Sequence, residues 1–450
     1  MRGLRSTIAL IVVLAGLGAY IYFTRNKPVD DGTPKLAKVY ATLQSDKIDS
    51  LKITSDKGET TTLSKTGAGW QETAPAAAKA DDSEVSGITS SLSSLEITRA
   101  VDDNPSNLKD YGLAAPKIDV AFKSPGDKDY THLLIGDKTP TGSDLFAMRG
   151  GEKKVFLIPA TQEQTFNKSP FDLRDKTLVK FDRDKVDGID LSAGGKNLTI
   201  AKDGADWKIT KPLQVAADFG SVEGLVGRLQ SAQMKSIVTD DPTPADLKTY
   251  GLDKPAESAT IDLGSARATL ELGGKADDST VYARDTSKPM VVTVESTLAD
   301  DLKKGADEYR RKDIFEFRSY NASRIELTRN GQTVAFEKTP ADPKDSSKGD
   351  KWRRVSPTAA DANKDTMDGL LSRLSNMRAT SFLESTAKTG LDKPALTVAV
   401  KFDDGKKEEH VAFGKIDNDV YASLSGQPGA AKVDAADFSE SLKAIDELSK

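Results

Sequence analysis

Cysteine does not occur in the 450 residues, and only two histidines do, His132 and His410. The first absence excludes disulfides, thiolate nucleophiles, Cys-based zinc or iron–sulfur sites and a lipidated N-terminal cysteine of the bacterial type. The second leaves general-base chemistry little to work with. An excess of one charge is lacking too: 64 basic residues face 69 acidic ones, a formal net charge of −5. Nucleic-acid binding needs a clustered basic face and is not expected. G-x-S-x-G and H-E-x-x-H are missing, and so are glycine-rich phosphate loops. The turns at Gly136-Asp137-Lys138 and Gly273-Gly274-Lys275 join strand to strand, with no helix N-terminus to hold a phosphate. No catalytic residue, cofactor site or metal site is assigned.

Long apolar runs are lacking except at the start. Residues 6–23 carry no charge, with Arg2 and Arg5 before them and Arg25 and Lys27 after. Eighteen residues of helix span roughly 27 Å, just enough for a hydrocarbon core. A signal peptide has the same basic start, but this run exceeds the usual h-region of about 7–15 residues. It ends in the aromatic belt Tyr20-Ile21-Tyr22-Phe23 rather than a small-residue cleavage site. An uncleaved anchor in the cytoplasmic membrane is expected, with the short stub inside and the C-terminal bulk outside, in the periplasm. Residues 28–38 read as a linker.

What the chain does have is repetition. Tyr111-Gly112-Leu113 with Pro116 returns as Tyr250-Gly251-Leu252 with Pro255 and as Thr389-Gly390-Leu391 with Pro394, the glycines 139 residues apart both times. A period of that length means a repeated domain rather than a solenoid unit. The organisation expected is a stub and anchor at 1–27, the linker, and three repeats at 39–176, 177–312 and 313–450. Each repeat opens with apolar–polar alternation that marks a strand, carried by Ile48, Leu51 and Ile53 or Val186, Ile189 and Leu191. Two further strands follow, the second carrying Trp70, Trp207 or Trp352. A helix comes next, with Val85, Ile88, Leu92 and Leu95, then Val222, Leu225, Leu229 and Ala232, then Met367, Leu370, Leu374 and Met377 on one face.

Asp81, Asp218 and Asn363 stand where its N-cap belongs, and Asp81 with Glu84 forms a capping-box pattern. Gly87, Gly224 and Gly369 inside the helix predict close packing of its backbone on the sheet. The repeated phrase follows as a helix stop, its glycine taking the left-handed position. Four strands and a closing helix complete each repeat. Strands in succession without intervening helices predict an antiparallel sheet, hence three tandem α+β domains behind one transmembrane helix. The polar insertion at 339–350 reads as a mobile loop.

Each candidate residue has a functional and a structural reading. The three tryptophans could stack sugars, but their recurrence within one strand pattern points to core anchors. The histidines fall on the outer faces of their strands. Asp102-Asp103, Asp240-Asp241, Asp277-Asp278 and Asp417-Asn418-Asp419 do not fit the EF-hand loop and read as turn caps. Arg174 and Arg310 are equivalent residues between repeats, either pairing with carboxylates to fix interdomain geometry or simply solvated.

The basic stub, single span, tryptophan-bearing strands and the phrase L-x-x-Y-G-L-x-x-P resemble bacterial proteins carrying domain of unknown function 4340. The phrase is complete from Leu108 to Pro116 and from Leu247 to Pro255, and degenerate from Thr386 to Pro394. The resemblance implies association with the permease and ATPase of an ABC transporter similar to one linked to gliding motility. It carries no catalytic residues. The function expected is a non-enzymatic, membrane-anchored scaffold or auxiliary subunit outside the cytoplasm. A module binding cell-wall glycan through its repeated strand faces is the alternative, and an enzyme the weakest one.

Overall fold

The computed structural model of the chain describes residues 36–339, 350–424 and 427–450. The apolar run at 6–23, the linker up to residue 35 and residues 340–349 of the polar insertion lie outside them. The chain separates into two compact units, one ending at Asp175 and the other running from Lys176 to Lys450. The first holds one domain and the second holds two.

Each domain is built on one nine-stranded antiparallel sheet. In the first domain β1 (Ser50–Thr54), β2 (Thr60–Thr66), β3 (Gly69–Ala74) and the short β4 (Ala78–Lys79) form a meander out to one edge. The helix α1 (Asp82–Ser94) then carries the chain across to β5 (Arg99–Asp102) at the opposite edge. From there β6 (Ile118–Lys123), β7 (Thr131–Lys138), β8 (Asp144–Arg149) and β9 (Val155–Pro159) fill the gap, giving the order 4-3-2-1-6-7-8-9-5. Both other domains repeat this order. Seven strands per repeat are legible from alternation. The two edge strands are too short, at two to five residues, to show a period.

Register explains why the alternation matters. Leu51 faces Leu63 on one side and Phe122 on the other, Ile189 faces Ile200 and Ile261, and Ile325 faces Phe336 and Val400. The central strands thus align their apolar residues in a row on one face, and a slip of one residue would turn that row to solvent. The helix covers this row, and all twelve of its periodic apolar positions across the three domains are buried. Asp81 accepts from the backbone N–H of Ser83 and Glu84, Asp218 from Ser221 and Asn363 from Thr366, so the three caps form as expected. The capping box does not: Glu84 is taken by Lys168 Nζ at 2.9 Å instead of returning to its own cap.

The helical glycines also depart from expectation. A Cβ built on Gly87, Gly224 or Gly369 would meet nothing within 4 Å, because each lies on the solvent side of its helix. Close packing is therefore not their role, and the structure supplies no other account of them.

The repeated phrase does more than stop a helical turn. Gly112, Gly251 and Gly390 adopt φ of 66°, 70° and 74°, the left-handed region that favours glycine. In the first domain the turn then folds onto the outer face of the sheet. Leu113, Met148 and Val155 form a second small core there, with Leu108, Tyr111 and Phe146 packed around it. Tyr111 meets Phe146 edge-on at 5.1 Å, and Tyr250 meets Tyr282 at 4.5 Å. Thr389 replaces the tyrosine in the third domain, which has no such ring pair at the phrase.

Candidate functional site

Trp70, Trp207 and Trp352 are 4%, 1% and 5% exposed, so none offers a ring face to a ligand. Trp207 shows how the indole is satisfied: its Nε1 donates to Glu223 Oε1 at 3.0 Å. Arg183 holds the other oxygen of Glu223 at 2.8 Å, and that bond chiefly keeps the carboxyl below its ordinary range. Immediately after each tryptophan's strand the chain turns through a cis proline, Pro75, Pro212 or Pro357. Pro116, Pro255 and Pro394 lead instead from the phrase into the next strand.

His132 lies on the outer sheet face, its Nδ1 2.9 Å from a carboxylate oxygen of Asp119. His410 is exposed beside Glu408 at 3.2 Å. Asp277 accepts from the backbone N–H of Ser279 and Thr280, and the bonds to Thr280 and Ser279 hold its carboxyl down at about 2. Among the described residues no three His, Asp or Glu side chains are grouped to hold a metal ion.

The informative pair is Arg174 and Arg310. Both are buried, and both sit beside the edge strand of their own domain, bridged to Ala80 and Ala217. The bonds around them match: Asp81 N donates to Leu173 O and Asp175 N to Lys79 O, as Asp218 N does to Tyr309 O and Arg311 N to Ala216 O. Their partners differ because one strand position differs. Two residues after the tryptophan the first domain carries Glu72, which receives Arg174 through two bonds of 3.0 and 3.1 Å. The second domain has Ile209 there, fully buried.

Arg310 therefore reaches into the third domain. It donates to Gln427 Oε1 and to the carbonyl of Pro428, both at 3.3 Å, and lies 4.1 Å from the centre of the Phe382 ring. No carboxylate among the described residues forms an ion pair with it, and burial pushes its guanidinium below the ordinary arginine value. In the third domain the same strand position is Arg354, which donates to the carbonyls of Leu448 and Ser449 at the end of the closing helix (Ala435–Leu448). That is where a cation complements the helix dipole.

Beside Arg310 the second and third domains enclose a cleft of about 660 Å³. Its lining includes Asp206, Asp218, Asp313 and Glu316 against Lys208 and Arg311, and both Phe219 and Gln427. Arg311 Nη2 donates to Glu316 Oε1 at 2.7 Å, while its buried Nε has no partner among the described residues. Arg378 stands between Asp313 at 3.5 Å and Asp218 at 3.8 Å, joining the two domains loosely. Deeper in the third domain Glu409 accepts from the backbone N–H of Glu316 and Phe317 at 2.8 and 2.9 Å.

The family described as Domain of unknown function (DUF4340) matches residues 70–208, 207–351 and 352–449. The chain belongs to this family. Each match begins at one of the three tryptophans, so the DUF4340 unit runs from the third strand of one sheet toward the third strand of the next. Folded domains close differently, on the two strands that precede each tryptophan. No curated protein matches the chain. Among solved structures, a DNA polymerase sliding clamp from Pseudomonas aeruginosa is 10% identical over 88% of this chain and 93% of its own, with a TM-score of 0.15. The DNA polymerase III subunit beta sliding clamp from Bartonella birtlesii LL-WM9 is also 10% identical, over 86% and 92%, with a TM-score of 0.13. Scores this low carry no argument about fold or function.

The site that sequence reading missed is the cleft. Its one local signal was Phe219, an aromatic at the first position of a helix where the first domain has Asp82 and the third Lys364.

Proposed function

We propose that this DUF4340 protein is a non-enzymatic scaffold or auxiliary subunit of a membrane machine, held outside the cytoplasm by the apolar run at residues 6–23. Among membrane machines, an ABC transporter is the partner we favour. One observation supports this reading above the rest: what the three domains share is architecture. The residues repeated in all three are buried tryptophans, left-handed glycines and helix caps, each serving the fold. Repetition of a unit adds surface without adding chemistry. Glycan recognition by the repeated strand faces loses its support, because the tryptophans that would stack sugars are buried.

The test is affinity purification of the detergent-solubilised full chain beside a version lacking residues 1–27, with partners identified by mass spectrometry. Recovery of a permease or its ATPase with the full chain, and its loss without the first 27 residues, is the expected result. If neither form brings down a membrane protein, the scaffold reading fails.

A further inference from the structure

We propose that the cleft between the second and third domains binds a neutral saccharide, with Phe219 as its stacking platform. The inference goes beyond the scaffold reading and does not depend on it.

Phe219 opens the helix Phe219–Gln230, yet it is 58% exposed and faces the cleft. The first turn of a helix favours acidic side chains, and Asp82 at the same place in the first domain folds back to accept from Trp70 N at 2.7 Å. A large apolar ring left in water at a position suited to a carboxylate breaks a local rule, and such breaks collect at functional sites. Of the three residues at this position, Asp82, Phe219 and Lys364, only Phe219 is an apolar ring, and it stands in the domain whose helix borders the cleft.

The remaining lining decides the class of ligand. Four carboxylates to two cations repel a phosphate or nucleotide. So polar a wall does not suit a hydrocarbon. An added β-strand is also excluded at the nearby sheet edge, since Ala216 O and Asp218 N already bond Arg311 N and Tyr309 O. A sugar fits on both counts. Its C–H face carries partial positive charge toward the negative face of an aromatic ring. Its hydroxyls both donate and accept, matching the acceptor oxygens of Asp313 and the amide of Gln427. The volume of about 660 Å³ lies in the range of small-ligand sites.

The experiment is saturation-transfer NMR on the full chain in detergent with maltotriose, cellotriose and N-acetylchitotriose, each at millimolar concentration. Tryptophan fluorescence is read in parallel, because Trp207 lines the same cleft. At least one sugar should receive saturation and shift the fluorescence. Phe219→Asp, which installs the residue of the first domain, should weaken that binding at least tenfold with the thermal midpoint unchanged or raised. Lys364→Ala, at the matching position of the third domain, should leave binding as it was. Absence of transfer to all three sugars overturns the proposal, and so does undiminished binding to Phe219→Asp.

Discussion

A Cβ atom placed on Gly136 would stand 2.1 Å from the carbonyl oxygen of Tyr111. The same approach recurs between Gly273 and Tyr250 and between Gly414 and Thr389, at 2.2 Å each. The repeated phrase is thus one half of a backbone-to-backbone contact whose other half is a strand glycine some 24 residues later. Alanine at Gly136, Gly273 or Gly414 should each destabilise its domain by about 1–3 kcal/mol, the usual cost of overpacking. A lowered urea midpoint, with faster amide exchange in the phrase, is the expected reading.

Alanine at Gly87, Gly224 or Gly369 should do the opposite. Space is open on every side, and helix propensity favours alanine by about 1 kcal/mol. Differential scanning calorimetry should show each variant melting later than the parent, and an unchanged or lower midpoint would contradict this account.

Arg310 pins the third domain to the second through uncharged acceptors. Replacing it with methionine keeps much of the volume and removes charged hydrogen bonds of the kind worth about 1.5–3 kcal/mol. Limited proteolysis should then cut the junction at residues 310–313 at lower protease concentration, while the melting of isolated sheet cores changes little.

Arg174 and Glu72 form a buried bidentate pair with 7% and 0% of their side chains exposed. Changing Glu72 to isoleucine, the residue the second domain carries, takes away the guanidinium's bidentate partner. Loss of one member of a buried pair costs about 3–5 kcal/mol. Chemical denaturation should show that loss in the first domain alone.

Burial pushes the Glu409 carboxyl above its ordinary value, against the pull of the N–H groups of Glu316 and Phe317. Between the unfolded and the raised folded value the folded chain binds more protons. Its stabilising contribution is complete below the unfolded pKa and is lost as pH rises through the folded one. Glu409→Gln removes that dependence, so its stability relative to the parent should improve as pH rises from about 4 through the raised folded value. Glu409→Ala should instead lose about 1–3 kcal/mol throughout by orphaning the buried N–H of Phe317 and the half-buried one of Glu316.

The sequence by itself determined the features that depend on neighbours along the chain. Period-2 alternation placed the long strands, spacings of three and four placed the helix faces, and Asp81, Asp218 and Asn363 marked the caps. The equal spacing of Gly112, Gly251 and Gly390 disclosed the threefold repeat. Only the tertiary structure decided what depends on residues far apart in the chain. Strand order put Gly136 under Tyr111, and one change from Glu72 to Ile209 sent an equivalent arginine inward in one domain and outward in another. The cleft lies where Arg310 and Arg378 link the second domain to the third. Local patterns are read from side-chain period and backbone preference, whereas contact between distant segments is set by packing, which no single stretch of sequence records.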